Sequence, residues 1–286
     1  MQISEMTDKH GNIHTDGTGI ANAFADFHET LYTEPKDIQP EISTNMSGLD
    51  PVNLISVEEV EAALAHMKNG KAADQATMLA EVIKYAGQRM LTLIAELLSD
   101  VMAPNGHTPQ YWREMVIKVL HKKGPAHVPD NYRPISIIPI LYKLYATIVL
   151  TRIEADLDTA QSRGHVGFRK KRSATDHLLC MNFVVQMKRE KGEPLWCAAL
   201  DFRKAFDTTS HSSIWRSLEE QHIHPQYVQA LQKQYNNQQA RVCAGQLGRE
   251  FPITRGTKQG DPISPALFNS VTQSIFDRLT KRIGKL

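Results

Sequence analysis

The apolar positions of this 286-residue chain change rhythm several times. Over 20–31 they recur at helical spacing, with Phe24, Phe27 and Leu31 on one face, so a helix is expected there. A second helix starts at Ser56, whose hydroxyl can cap the amide three residues on while Glu59 reaches back; it should end near Gly70. A longer helix is predicted over 78–102, closed by the breakers Pro104, Gly106 and Pro109. From Met115 the pattern alternates as a strand does. A turn follows at Lys123, Gly124 and Pro125, and a second extended piece starts at Asn131. Helices are expected over 141–156 and 174–189. Between them and the next helices lies a short continuous apolar run, 195–200, behind Gly192 and Pro194; it reads as a buried strand with Asp201 at the point where it surfaces. Helices over 212–220 and 227–235 precede short strands over 241–243 and 250–253, joined through Gly245 and Gly248. A last helix begins near Pro262, with Leu267, Val271 and Ile275 on one face. This mixed order predicts an α+β fold and not regular βαβ winding.

Composition narrows the class. With 41% apolar residues the chain can bury one large core or two modest ones. Its three cysteines, Cys180, Cys197 and Cys243, are scattered and odd in number, without zinc-ligand spacing, which argues against a disulfide framework and for a reduced intracellular compartment, cytoplasm or nucleus. No apolar run approaches the ~20 residues of a membrane helix, and the polar start has no signal-peptide hydrophobic region, so no membrane partner is expected.

The net charge of +2 hides an asymmetry. Residues 1–61 hold twelve acidic and two basic side chains, which leaves 31 basic against 19 acidic in the remainder. Two basic stretches, 121–123 and 169–172, stand beside Tyr132 and Phe168. Basic surface with interleaved aromatics favours nucleic acid, because phosphates meet the charge and bases stack on the rings; an ordinary solvated surface is the alternative.

Four segments could carry chemistry. Arg133, before a proline and so outside any helix interior, offers a planar fork suited to polyphosphate, with Lys122 nearby. Arg169, Lys170, Lys171 and Arg172 form a basic loop capped at Ser173 that could track a nucleic-acid backbone. A carboxylate at a strand end must be solvated, paired or coordinated to a metal, and for Asp201 the competing partners are Arg203 and Lys204. Phe206 could close over a sugar or simply belong to a core, and Asp207 reads as structural. In 255–265, Gly260 lets backbone approach a ligand, and Asp261 before Pro262 reads as a helix cap. No Gly-Lys-Ser/Thr follows, so this is not a P-loop, and GHVG at 164–167 is too short for a KH domain.

Taken in order, HKKG, NYRPIS, a helix ending in Arg152, GFRKKRSATDHL, ALDFRKAFD and RGTKQGDPISPALFN resemble the reverse transcriptase of non-LTR (LINE-type) retrotransposons. Upstream, FADFHETLY and VEEVEAALAHMKNGKA look like the segment that links endonuclease to polymerase in that family. The resemblance implies right-hand polymerase fingers and a partial palm over 111–286, preceded by a helical N-terminal extension over 1–110. It implies that Asp201 is the first metal-binding aspartate, with the carbonyl of Phe202 as a further ligand, and that Phe206 packs under the sugar. Arg133 and Lys122 would hold the triphosphate, and Gln259 and Gly260 would contact template and nucleotide. The partners implied are an RNA template, a DNA primer and deoxynucleoside triphosphates. The reaction is attack of the primer 3′-hydroxyl on the α-phosphate, assisted by two Mg²⁺ ions about 3.5–4 Å apart.

Two departures accompany the resemblance. The aromatic-Ala-Asp-Asp hairpin that carries the family's other metal-binding carboxylates does not occur before Leu286, and KAADQAT at 71–77 replaces a Gly-Pro-Asp-Gly turn. The expectation is therefore a truncated reverse transcriptase domain, inactive by itself. The alternatives are a non-catalytic nucleic-acid-binding remnant and a helical interaction module over 1–110.

Overall fold

Alternation along 114–121 and 132–137 puts Met115, Ile117 and Tyr132 on one side of a sheet, and the rest of the architecture follows from covering that side. A computed structural model describes residues 3–34 and 49–284. A small hairpin, β1 (Met6–Thr7) and β2 (Ile13–His14), leads into helix α1 (Gly17–Tyr32). Helices α2 (Val57–His66), α3 (Ala80–Lys84) and α4 (Gln88–Met102) precede strands β3 (Glu114–His121) and β4 (Tyr132–Ile137). Then come α5 (Ile140–Ala160), α6 (Ala174–Glu190), the single turn α7 (Ala205–Thr208), α8 (His211–Glu220) and α9 (Pro225–Tyr235). Strands β5 (Gln238–Cys243) and β6 (Leu247–Ile253) and helix α10 (Ser264–Ile283) complete the order.

The sheet runs β4-β3-β5-β6, antiparallel at both outer pairs and parallel between β3 and β5. Its covered face, Met115, Ile117, Tyr132, Ala240, Val242, Phe251 and Ile253, packs on Ile20, Ala23, Phe24 and Tyr32 of α1. Phe24 is fully buried and meets Tyr132 edge-on at 4.9 Å. A second, larger core joins α2 to α5 with α8, α9 and the start of α10 around Trp112, Tyr142 and Tyr145. Both cores draw residues from either side of position 110.

The capping box at Ser56 forms as the sequence requires, and Glu59 does double duty by gripping Arg152 of α5 through both carboxylate oxygens at 2.7 Å. The turn over 71–77 also has a defined role. Asp74 accepts from Ala76 N and Met78 N with one oxygen and from Ile140 N with the other, which caps α5, a helix whose own N-cap residue, Pro139, gives no side-chain bond.

Two expectations differ from the structure. The helix predicted over 78–102 is two helices, α3 and α4, separated at 85–87. Gly87 interrupts it, and α3 is tied to the residues after α2: Glu81 accepts from Gly70 N, and Lys84 donates to Met67 O and Asn69. The apolar run 195–200 is not a buried strand. Trp196 is 92% and Leu200 80% exposed, and neither edge strand of the sheet pairs with the run. A strand needs a hydrogen-bonding neighbour and a covering layer, and this run has neither among the described residues. Helix α6 beside it in sequence likewise buries none of its residues, leaving Leu178, Leu179, Phe183 and Val184 exposed.

Candidate nucleotide and nucleic-acid site

The antiparallel register pairs Leu120 with Arg133 and His121 with Tyr132, so the end of β3 and the start of β4 lie side by side. The connection between them is folded tightly on itself. Lys122 N donates to Asn131 O at 2.8 Å, the Asn131 side chain to Pro125 O at 2.9 Å, and the Tyr132 hydroxyl to Ala126 O at 2.7 Å. Lys122, Lys123 and Arg133 consequently line one pocket of about 400 Å³ with Leu120 and His121. None of these three cations forms an ion pair with a described residue. Convergent positive charge of this kind can seat an anion, and the arginine adds a planar fork for phosphate oxygens.

Asp201 lies in an exposed segment without regular structure, with Phe202 next to it. The basic neighbours that could have neutralised it turn elsewhere: Lys204 Nζ stands 2.5 Å and Arg203 3.6 Å from the carboxylate of Asp130, in the β3–β4 connection. Asp201 forms no ion pair among the described residues. Lys204 adopts a left-handed backbone (φ 51°), uncommon for a residue with a side chain, and its ammonium also lies 4.7 Å from the centre of the Phe27 ring. That turn is joined through Lys204 to the connection beside the basic pocket.

The turn continues into Phe206 and Asp207. Phe206 is half-buried, 4.9 Å from the Phe268 ring and 5.7 Å edge-on to Phe168. Asp207 is buried, and its Oδ1 accepts from the Tyr32 hydroxyl and from Gln259 Nε2, each at 2.9 Å. Burial pushes its carboxyl above the usual carboxylate range, opposed by those two bonds and by the charges of Lys204 and Lys122. The reading of Asp207 as structural thus acquires a specific content: it ties the turn after Asp201 to Gln259.

The loop that carries Gln259 is held on all sides. Gly256 N donates to Thr209 O and Thr257 N to Phe206 O, each at 2.7 Å, while Ser136 N on β4 donates to Gln259 O at 3.0 Å. Gly256 has φ +89°, and a Cβ there would come 2.6 Å from the carbonyl of Asp207, so only glycine fits. Gly260 has φ +108° and a side chain's worth of room limited by Ser136 O at 3.4 Å. Beneath the loop, Lys258 is buried 3.9 Å from the centre of the Tyr142 ring, and burial pushes its ammonium down to about 8. Asp261, expected as a helix cap, meets Ile263 N at 3.3 Å, and its other oxygen takes the Tyr142 hydroxyl at 2.7 Å. It is a buried strut and not the expected cap, because α10 begins at Ser264 with Ile263 in the N-cap position and no side chain capping it.

The basic loop after α5 divides. The Arg169 guanidinium is consumed internally, bonding Asp158 Oδ1 and the carbonyls of Asp158, Ser162 and His165, which closes the C-terminal end of α5. Its fork is therefore not free for a nucleic acid. Lys170 pairs with Glu154 at 2.6 Å yet is 80% exposed, and Lys171 and Arg172 are exposed. The Phe168 ring beside them is also exposed.

No group of three or more His, Cys, Asp or Glu side chains converges to hold a metal among the described residues. Asp201 is a single acidic donor; a Mg²⁺ ion bound by one carboxylate takes its remaining ligands from substrate oxygens and water. By itself this donor set does not make a resident metal site among the described residues. Sequence reasoning overlooked Asp130 and Tyr32. Asp130 is an acid inside a basic stretch, which is a readable signal; Tyr32 is distant in sequence from everything it serves, and nothing local marks it.

Comparison with known proteins shows the family. Residues 120–286 match the family model described as reverse transcriptase (RNA-dependent DNA polymerase). The chain belongs to the reverse transcriptase family. It is 34% identical over 183 residues to the Retrovirus-related Pol polyprotein from type-1 retrotransposable element R2 of Popillia japonica, covering 63% of this chain and 25% of that protein. It is 29% identical over 180 residues to the polyprotein from type-2 element R2DM of Drosophila melanogaster, covering 63% and 17%. To the RNA-directed DNA polymerase from mobile element jockey, of the same fly, it is 25% identical over 226 residues, covering 77% and 24%. Within the family it is a non-LTR retrotransposon reverse transcriptase domain, and the chain spans a quarter or less of the length of these relatives.

Proposed function

We propose that this chain forms the nucleotide-binding and template-facing part of an RNA-directed DNA polymerase that copies RNA onto a DNA primer. The observation that carries the reading is the convergence of three separate segments: the β3–β4 connection with the start of β4, the turn after Asp201, and the loop that bears Gln259. The β3–β4 connection supplies Lys122 and Arg133, and it is bridged through Asp130 to the turn after Asp201. That turn is bonded through Asp207 to Gln259, whose carbonyl returns to β4. In this reading the basic pocket takes the triphosphate and Asp201, with the Phe202 carbonyl, faces the reacting phosphate. Phe206 lies under the sugar, Gln259 and Gly260 meet nucleotide and template, and Lys170, Lys171 and Arg172 follow a nucleic-acid backbone. Residues 111–286 would then correspond to fingers with part of a palm, and residues 1–110 to a helical N-terminal extension. Any Mg²⁺ would have to arrive with the substrate, because Asp201 offers it one carboxylate and no cluster of metal-ligating side chains is present among the described residues. The partners in this reading are an RNA template, a DNA primer and deoxynucleoside triphosphates, in an intracellular compartment.

The test is ultraviolet cross-linking of a radiolabelled deoxynucleoside triphosphate to the full chain, followed by peptide mapping. Labelling should fall in 120–133 and 255–261; labelling confined to other segments removes the reading. With Asp201 the lone acidic donor, primer extension on a homopolymer template with Mg²⁺ should stay at background for this chain.

A second reading, nucleic-acid binding without chemistry, is favoured by the exposed Lys170–Arg172 run. Filter binding should then weaken steeply as salt rises, because released counterions drive the association, and a flat response excludes it.

A further inference from the structure

We infer that Tyr32 is a positioning residue for the side chain of Gln259, acting through the carboxyl of Asp207. The functional consequence rests on the nucleotide-binding reading above. Tyr32 belongs to α1, ahead of the residues that match the family model.

Asp207 Oδ1 receives both the Tyr32 hydroxyl and Gln259 Nε2 at 2.9 Å. A carboxylate only accepts, so Gln259 must turn the nitrogen of its amide towards Asp207; a glutamine without such a partner can present either end. The opposite end of the amide, Oε1, accepts no hydrogen bond from a described residue and is left as an oriented acceptor. The carboxyl that imposes this choice is itself fixed by Tyr32, whose ring is 3% exposed and whose hydroxyl has only a donor's role to play towards a carboxylate.

Tyr32 is anchored to the same loop it orients. Thr254 N and Arg255 N both donate to Tyr32 O at 3.0 Å, Arg255 Nε donates to Leu31 O at 2.8 Å, and a Cβ at Gly256 would come 3.1 Å from the Tyr32 ring. The end of α1 and the residues leading to Gln259 therefore move as one piece. A helix outside the matched polymerase segment completes the site, which gives it a role beyond covering the sheet.

Tyr32→Phe removes only the hydroxyl, and Gln259→Ala removes the group it orients. In the full chain, titration calorimetry with a deoxynucleoside triphosphate should show about five-fold weaker binding for Tyr32→Phe. The double variant should bind no more weakly than Gln259→Ala alone, because both act through one contact. Losses that multiply would assign Tyr32 a separate structural effect and overturn the inference. Should the unaltered chain bind no nucleotide, the underlying reading fails, and the inference is then decided without ligand by the ¹⁵N side-chain amide resonances. Tyr32→Phe and Asp207→Asn should each move the Gln259 pair, identified by its absence in Gln259→Ala, more than any other glutamine. An unmoved Gln259 pair overturns the inference whatever the calorimetry gives.

Discussion

Lys204 closes on Asp130 at 2.5 Å, and this ion pair holds the turn after Asp201 against the strand connection that bears Lys122 and Arg133. The lysine is mostly buried and the aspartate nearly half exposed, so solvent screens the pair. Lys204→Met is expected to cost about 1 kcal/mol or less in urea unfolding at neutral pH. The Lys204 ammonium holds the Asp130 carboxyl below its ordinary range. The pair's contribution is therefore present above about pH 3.8, the carboxyl's unshifted value, and is lost as pH falls below it. A Lys204→Met variant as stable as the unaltered chain at pH 7 but with altered nucleotide affinity would assign the pair to alignment alone.

Acid sensitivity should come mainly from two histidines. His28, bonded to Phe24 O, and His211, bonded to Gly256 O, are buried, and burial pushes both down to about 4 from 6.5. Both are neutral in the fold at neutral pH, while in the unfolded chain they take up protons below pH 6.5. Stability is expected to fall between pH 6.5 and 4, by about 3 kcal/mol for each histidine across the full window. Denaturant titrations at pH 7, 5.5 and 4.5 measure this, and His28→Gln should flatten the dependence. An unchanged slope in that variant would contradict the assignment.

The bidentate pair between Arg152 and Glu59 joins α5 to α2, with the arginine also donating to Asn53 O and Leu54 O. A lysine cannot reproduce the fork. Arg152→Lys is expected to cost about 2 kcal/mol, and Arg152→Ala about 3, read as shifts of the urea midpoint.

Trp196 should report the uncovered run over 195–200. It is 92% exposed while Trp112 and Trp215 are buried. Acrylamide should quench one of the three tryptophans readily, and Trp196→Phe should remove that accessible fraction. Loss of the accessible fraction on changing Trp112 instead would show that the run is covered in solution.

The local features were legible because each is written within a few residues. The Ser56–Glu59 cap and the alternation of β3 and β4 follow from capping chemistry and periodicity alone. The strand over 195–200 failed because an apolar run specifies what it would bury, not whether a neighbour is there to bury it. Charge alone points Arg169 to nucleic acid, yet Asp158 near the end of α5 and the carbonyls of Ser162 and His165 just beyond it claim its guanidinium, a demand invisible without the fold. The candidate residues were found through the order of motifs. The bonds that assemble them, Lys204 to Asp130 and Asp207 to Tyr32, join segments too far apart in sequence for any spacing rule.

The most direct measurement is calorimetric binding of a deoxynucleoside triphosphate to the full chain and to its Lys122→Ala and Arg133→Ala variants, at fixed ionic strength. Each substitution should weaken binding by about ten-fold, near 1.4 kcal/mol, and the unphosphorylated nucleoside should fail to compete. Equal affinity in all three proteins, or competition by the nucleoside as effective as by the triphosphate, would contradict a phosphate-binding pocket between β3 and β4.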